Sequence, residues 1–362
     1  MTERIGVFGG TFDPVHIGHL LFAEAARAQA GLLKVVFMPV HIQPFKQDMK
    51  ISSGDDRVRM LKLAVKNNPY FGVSTIEIDN GGISYTIDSL REFQSQNKDA
   101  RVCFLLGTDM FLNIEKWKQS DELLREFDLA IGTRPGYKDD EASALAEKLK
   151  KTYGTRIDFV DNPPIDLSST EIRQRVNDGH TIRYRVHEDV RRFLMVMEKE
   201  GAERFAHTKR VIDLALEMAD RFGVDSERAG LAALLHDYRK EPDGGVENDL
   251  SHGELAAEAI RSEFGIADED ILNAVRYHTT GRAGMSRLEK IIFLADTVEP
   301  GRTYDSIAGL REKCLNDLDN GALTVLTELK IYLEKKGLEV SKDTEAAIAE
   351  LRGETKEKII EH

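Results

Sequence analysis

Gly9-Gly10-Thr11-Phe12-Asp13-Pro14-Val15-His16-Ile17-Gly18-His19 is the stretch that decides the fold of the first half of this chain. Before it, Arg4-Ile5-Gly6-Val7-Phe8 reads as a short buried strand, and after it Leu20-Leu21-Phe22-Ala23-Glu24-Ala25-Ala26 continues as a strong helix former. A glycine-rich turn from a strand into a helix leaves backbone N–H groups and the positive end of the helix dipole facing whatever lies above it, which suits phosphate. Gly9 and Gly10 are expected where the backbone turns sharply, and Gly18 at the opening of the helix. His16 and His19 add donors beside the turn. In a nucleotide site they would hold β- and γ-phosphates and stabilise charge on departing pyrophosphate, by positioning and electrostatics rather than through a protein nucleophile. A bare Gly-Gly reads as well as a hairpin with two surface histidines; the full string does not.

Outward from this string, residues 34–38, 71–76, 102–107 and 128–133 read as further strands with helices between them, the pattern of a doubly wound parallel α/β sheet. Arg156-Ile157-Asp158-Phe159-Val160 reads as a final strand before a helical end running to about Glu198. Asp109 follows the buried-looking run Val102-Cys103-Phe104-Leu105-Leu106-Gly107, which places it at the carboxyl end of a parallel strand, where open sheets bind ligands; a solvated loop carboxylate is the alternative. From Glu200 the texture changes to amphipathic helical patterns broken at Gly223, Asp243-Gly244-Gly245, Gly265, Gly281 and Pro300-Gly301, so the second half is expected to be all-α. The expected domains are 1–198 and 199–362, the second with its core at about 203–325, joined by a short charged junction at 199–203. The tail beyond about 335, rich in Lys and Glu, reads as an exposed or frayed helix.

At 362 residues the chain has room for two domains, each with its own core. It holds no run of about eighteen apolar residues, and its N-terminus is a charged strand rather than a signal peptide, so a cytoplasmic protein without a membrane partner is expected. Cys103 and Cys314, far apart in apolar surroundings, argue against a disulfide framework or a cysteine zinc site. The net charge of −13 argues against nucleic-acid binding. Whether the chain forms a homo-oligomer is left open.

The opening string resembles the signature of the nucleotidyltransferase superfamily, and within it the bacterial nicotinate-nucleotide adenylyltransferase family. The matching pieces follow in order: Met38-Pro39 through Pro44-Phe45-Lys46, Ser84-Tyr85-Thr86, Leu106-Gly107-Thr108-Asp109-Met110 with Trp117, Thr133-Arg134-Pro135-Gly136-Tyr137, and Asp166-Leu167-Ser168-Ser169-Thr170-Glu171-Ile172-Arg173. The resemblance covers roughly residues 1–198 and implies a Rossmann-like sheet binding ATP with Mg2+ and nicotinate mononucleotide. His16, His19, Lys46 and Arg173 would be catalytic. Gly9, Gly10, Thr11, Phe12, Gly107, Asp109, Ser168, Ser169 and Thr170 would line the nucleotide site, and Thr86, Trp117 and Arg134 would lie around the nicotinate ring and carboxylate, as an aromatic and a guanidinium suit. Taken alone, Trp117 reads equally as a core or surface aromatic. Two departures stand out: His41-Ile42-Gln43-Pro44-Phe45-Lys46 lacks the usual pair of prolines, and Thr108 replaces an alanine.

The second half carries its own constellation: His207, His236-Asp237, His252, His278 and Asp296. His207 heads an apolar helical face with Val211, Leu214 and Ala215. The apolar run Leu231-Ala232-Ala233-Leu234-Leu235 leads straight into His236-Asp237, and Ile291-Ile292-Phe293-Leu294-Ala295 into Asp296. A carboxylate ending a buried run is costly unless paired or bound to metal, and histidine with aspartate suits iron, manganese or zinc. These strings resemble the HD-domain phosphohydrolases. More closely, His236-Asp237-Tyr238-Arg239-Lys240, Tyr277-His278-Thr279-Thr280-Gly281 and Leu288 through Asp296 with Glu299-Pro300-Gly301-Arg302 resemble the symmetrical bis(5'-nucleosyl)-tetraphosphatase family. That resemblance implies a metal site, usually iron, with Mn2+ or another divalent ion as alternatives, cleaving diadenosine tetraphosphate or a related nucleotide to ADP. His207, His236, Asp237 and Asp296 would hold the first ion, with Asp237 bridging and catalytic; His252 and His278 would serve a second ion or, with Thr279 and Arg302, the nucleotide. A binuclear site often shows two adjacent histidines where this chain has His278-Thr279. Lys240, Arg282 and Arg302 are suited to phosphate and equally to a solvated face.

Overall fold

The structure, a computed structural model, describes residues 3–42, 51–132, 139–162, 165–240, 245–304 and 306–353. The chain forms two compact units, Met1–Leu194 and Met195–His362. The first alternates strands and helices: β1 (Glu3–Gly10), α1 (Ile17–Gln29), β2 (Lys34–Pro39), α2 (Gly54–Val65), β3 (Phe71–Val73), α3 (Ile76–Asn80), α4 (Thr86–Gln96), β4 (Ala100–Gly107), α5 (Thr108–Phe111), α6 (Ser120–Glu126), β5 (Asp128–Gly132), α7 (Asp139–Tyr153), β6 (Ile157–Val160) and α8 (Ser169–Asn177). The strands pair in the order β3-β2-β1-β4-β5-β6, all parallel. The order reverses between β1 and β4, and at such a switch point the connections leave toward opposite faces and open a crevice at the carboxyl ends.

Strand alternation explains both faces of this sheet. Ile5 and Val7 of β1 and Val102, Phe104 and Leu106 of β4 join one buried cluster with Ile87, Leu90 and Phe93 of α4. On the other face Gly6 leaves the space into which Leu32, Val35 and Leu105 pack; a Cβ there would lie 2.8 Å from the Leu32 side chain. At the amino-terminal edge the buried Arg4 guanidinium pairs with Asp128 and Asp158, each at 2.9 Å, and donates to the Ala30 carbonyl at 2.7 Å.

Two local expectations are corrected. Gly9 and Gly10 do not make the turn: β1 continues through Gly10, which pairs with Pro39, and the left-handed residue is Phe12, with φ of 50°. The two glycines are there for space, since a Cβ on Gly10 would lie 2.9 Å from the Phe12 ring and one on Gly9 would lie 3.3 Å from Phe104. Gly18 does stand at the opening of α1, as its second residue after the N-cap His16. β3 stops at Val73 rather than 76, because Ile76 already belongs to α3, where Thr75 donates to Asp79 at 2.6 Å.

The second unit is helical: α9 (Glu188–Phe222), α10 (Ser226–Leu235), α11 (Gly245–Phe264), α12 (Glu269–Arg276), α13 (Arg287–Val298), α14 (Ile307–Asn316), α15 (Leu318–Lys336) and α16 (Lys342–Leu351). α9 begins in the first unit and runs through the charged junction as two helical stretches joined at Gly201, whose φ of 71° and ψ of 172° are not helical. Helices end where expected at Gly223, Gly265 and before Pro300-Gly301; Asp243 and Gly244 lie outside the described residues. The tail reading is also corrected. α16 is capped by Ser341, buries Thr344, Ala347 and Ile348, and is tied by the Thr344 hydroxyl to the Thr280 carbonyl at 2.7 Å. Among the described residues no helix is long and apolar enough to cross a membrane.

Candidate phosphate cleft and metal centre

A cleft of about 510 Å³ opens above the carboxyl ends of β1 and β4. Gly9, Gly10, Thr11, Phe12, His16, His19, Gly107, Asp109, Trp117, Ser168, Ser169, Thr170 and Arg173 all line it. Thr86, at the start of α4, is not among the lining residues, and Lys46 and Arg134 lie outside the described residues. The His16 and His19 rings stack with centroids 3.6 Å apart and planes at 21°. The His16 backbone N–H donates to Nδ1 of His19 at 3.2 Å, so a neutral His19 carries its hydrogen on Nε2 and is a donor there. His19 is further held edge-on by Phe8 and Phe12, at 5.8 and 5.1 Å.

The opening of α8 reaches the same cleft. Ser168 caps α8 by accepting the Glu171 N–H at 3.1 Å, and Ser169 donates to the Pro14 carbonyl at 2.9 Å. Arg173 donates to the Asp13 carbonyl and stands 3.6 Å from its carboxylate. Two helix amino ends, α1 and α8, are thereby tied to one loop and open on one cleft, an arrangement that suits an anion. Trp117 lies edge-on to Phe104 at 6.0 Å. The unusual Thr108 hydroxyl is buried at no polar cost because it donates to the Gly132 carbonyl at 2.9 Å.

Sequence reasoning missed Arg57. It is 1% exposed, and its guanidinium donates to the carbonyls of Ser52, Thr11 and Val40 at 3.2, 2.9 and 2.7 Å, clasping the loops after β1 and β2. Burial pushes its pKa down, opposed by Asp13 and Glu77. Glu77, also buried, is pushed up by burial against hydrogen bonds from Ser89 and Ser84. In the string Asp55-Asp56-Arg57 nothing marks the arginine as internal.

In the second unit the predicted constellation comes together. α9 supplies His207, the end of α10 His236 and Asp237, α11 His252, the loop after α12 His278, and α13 Asp296. His207 Nε2 is 3.0 Å from Asp296 Oδ1, and His252 and His278 Nε2 are 2.9 and 3.5 Å from Asp237 Oδ1. One ligand atom each from His207, His236 and Asp296, and from His236, Asp237 and His278, lie within 4.8 Å of one another. His236 and His278 are anchored through Nδ1 to the carbonyls of Ala233 and Val275 at 2.7 and 2.6 Å. A carbonyl only accepts, so each Nδ1 carries the hydrogen and each Nε2 turns to the carboxylates.

These donors fit a divalent cation. Among the described residues His236 Nε2 is buried without a hydrogen-bond partner, and burial pushes that imidazole down to about 4, so it faces the carboxylates as a lone pair. Burial also opposes charge on Asp237 and Asp296, yet the surrounding histidines hold both well below the usual carboxylate range. Burial opposes the charged form of His207 too, but its bonds to Asp296 and Glu299 outweigh it and raise the pKa. Buried carboxylates facing imidazole nitrogens need cations or protons between them.

Arg302 reaches Asp296 Oδ1 at 3.2 Å and Lys240 reaches Asp237 Oδ2 at 3.6 Å, which brings both to the centre. Arg282 instead pairs with the buried Glu289 at 2.6 Å. Thr279 Oγ1, next to His278, is buried without a hydrogen-bond partner among the described residues. Glu200 and Gly253 went unread in the sequence, and Glu299 was quoted only within a matching string, without a role. Glu299 accepts from His207 Nδ1 at 3.1 Å. Glu200, bonded to the Thr208 hydroxyl at 2.7 Å, is pushed up to about 7 by burial and by the Asp237 charge. Gly253 lets α11 approach the end of α12, where any Cβ would collide with the Arg276 carbonyl.

The cytidylyltransferase-like family matches residues 7–175 and the HD domain family matches residues 204–301. The chain thus joins a nucleotidyltransferase domain with a parallel sheet to a helical HD domain, the latter implying a divalent metal. It is 42% identical over 192 residues to a probable nicotinate-nucleotide adenylyltransferase of Thermoanaerobacter sp. (strain X514), covering 53% of this chain and 91% of that one. A probable nicotinate-nucleotide adenylyltransferase of Moorella thermoacetica is 40% identical over 192 residues, covering 53% and 88%. Through its first domain the chain belongs to the nicotinate-nucleotide adenylyltransferase family. A crystal structure from Clostridium acetobutylicum, described as a predicted HD superfamily hydrolase involved in NAD metabolism, is 30% identical with a TM-score of 0.42, covering 45% of this chain and 96% of that one.

Proposed function

We propose that the first unit transfers AMP from Mg-ATP to nicotinate mononucleotide, forming deamido-NAD and pyrophosphate, a step of NAD biosynthesis. The observation that carries this is the shared cleft of α1 and α8, with the stacked His16 and His19 at one helix start and Arg173 in the first turns of the other. A phosphate oxygen of the mononucleotide attacks the α-phosphorus in line while the bond to the bridging oxygen breaks and pyrophosphate leaves. His16, His19, Arg173 and, by the resemblance, Lys46 hold the triphosphate and the departing charge; Trp117 and, by the resemblance alone, Thr86 and Arg134 receive the nicotinate. Purified full-length protein with nicotinate mononucleotide and Mg-ATP should release pyrophosphate, and His19→Ala should abolish the release. No release from the parent, or equal turnover with another phosphorylated acceptor such as phosphopantetheine, would sink the assignment.

For the second unit the proposed reaction is hydrolysis of diadenosine tetraphosphate to two ADP. His207, His236, Asp237 and Asp296 would hold the divalent metal, with His252 and His278 serving a second ion or the phosphates; iron is the first candidate and Mn2+ the next. Such a metal supplies Lewis acidity for attack of water on phosphorus. The tetraphosphatase-like strings around His236 and Asp296, and the cations Lys240 and Arg302 beside the carboxylates, support this choice of substrate. Chromatography of products from iron-loaded protein under anaerobic conditions tests it: two ADP are expected, whereas AMP plus ATP would overturn symmetrical cleavage. Metal retention with tight ADP binding and no turnover would favour a nucleotide sensor instead.

A further inference from the structure

We propose that Glu299, a residue just past the end of α13, is the positioning residue of His207, holding that imidazole in the one tautomer that can bind a metal ion. This rests on the assignment of His207 as a ligand made above. Glu299 is 2% exposed, and each oxygen of its carboxylate is committed. Oε1 faces His207 Nδ1 at 3.1 Å. Oε2 accepts from Arg210 Nε at 2.5 Å and from the Gly301 backbone N–H. The segment carrying it is also fixed, since Arg311 donates to the carbonyls of Val298 and Glu299 at 2.6 and 3.0 Å.

Gly301 belongs to the same device. A Cβ at this position would collide with the Arg210 guanidinium, so a glycine is required for Arg210 to close on the carboxylate. The consequence falls on His207. With Glu299 ionised beside it, Nδ1 carries the hydrogen and Nε2 is left to face Asp296 Oδ1 at 3.0 Å. Without it, the hydrogen moves to Nε2, where the same Asp296 stabilises it, and the ligand atom is blocked. His236 and His278 need no such carboxylate because carbonyls of their own turns do the same work. His207 sits in the body of α9, where main-chain carbonyls are occupied by the helix, so a carboxylate from elsewhere takes their place.

The test is Mn2+ binding to the full-length, chelator-stripped protein by calorimetry or electron paramagnetic resonance, alongside metal-free thermal melts. Glu299→Gln should weaken Mn2+ binding about 10- to 100-fold, the usual effect of losing a carboxylate behind a ligating histidine. Glu289→Gln removes an equally buried carboxylate from the start of α13, where it pairs with Arg282 rather than with His207. It should lower the melting temperature yet keep Mn2+ affinity within about threefold. Should Glu299→Gln fail to fold, the Glu299→Gln/Arg210→Met double variant, with both charges removed, carries the same comparison. Unchanged affinity in Glu299→Gln, or an equal loss in Glu289→Gln, would overturn the positioning role alone. A parent protein that takes up no Mn2+, Fe2+ or Zn2+ would overturn the metal assignment with it.

Discussion

Replacing Arg57 by Met keeps most of the buried stem and removes the guanidinium that ties Ser52, Thr11 and Val40 together. Hydrogen bonds from a charged donor contribute about 1.5–3 kcal/mol each, and three are lost. Against this, burial of the charge, the reason the Arg57 pKa is pushed down, is relieved. The carbonyls of Thr11 and Val40 belong to residues lining the cleft and can recover water, which reduces the loss further. We expect a net destabilisation of about 2–4 kcal/mol, which for a unit of this size lowers its melting temperature by roughly 4–16 °C. Function should suffer more than stability, because Thr11 leads into the His16-His19 pair and a displacement near 1 Å can cost about a hundredfold in rate. Pyrophosphate release from nicotinate mononucleotide and Mg-ATP should fall at least about tenfold in kcat/KM, and Arg57→Lys, with one point charge for three acceptors, should lie between. A Met variant with the parental melting temperature and kcat/KM would refute the clasp.

Trp117 is the single tryptophan of the chain, so nicotinate mononucleotide entering the cleft should change the protein's tryptophan emission saturably; an unchanged spectrum at concentrations that support turnover would remove Trp117 from the substrate site. Glu200, with a folded pKa of about 7 against an ordinary value near 4.5, binds its proton more tightly folded than unfolded. Its contribution is therefore present at acid pH and is lost as pH rises through about 7, by at most about 3 kcal/mol. In metal-free protein Glu200→Gln should melt above the parent at pH 8 and level with it near pH 4.5; an equal difference at both would exclude this titration. Gly253→Ala should force α11 from the end of α12, costing about 1–3 kcal/mol or more and weakening Mn2+ binding; a parental melt and affinity would show that the helices separate without cost.

Much of this was legible because the chemistry is local. The sheet could be read from short apolar runs alternating with helices, and the HD centre from carboxylates ending buried runs, a placement too costly to be idle. Gly9 and Gly10 misled because glycine signals both freedom and space; only the neighbouring Phe12 and Phe104 rings show that space is needed. The tail misled because α16 buries one narrow face through Thr344, Ala347 and Ile348, too few apolar positions to stand out among its charges. The internal roles of Arg57, Glu200 and Glu299 were invisible for one reason: a charged residue becomes internal through partners distant in sequence, and composition assigns it to the surface.

The anchoring of His236 and His278 to carbonyls three residues back has an electrostatic corollary. Both histidines sit where a helix has just ended, α10 at Leu235 and α12 at Arg276, so two helix carboxyl ends, each with roughly half a negative charge, point at the same small volume as Asp237 and Asp296. The bare carboxylates are therefore a trap for cations. The ion content of the centre changes the field that any anion meets beside them, so occupancy by metal and affinity for phosphate should rise and fall together.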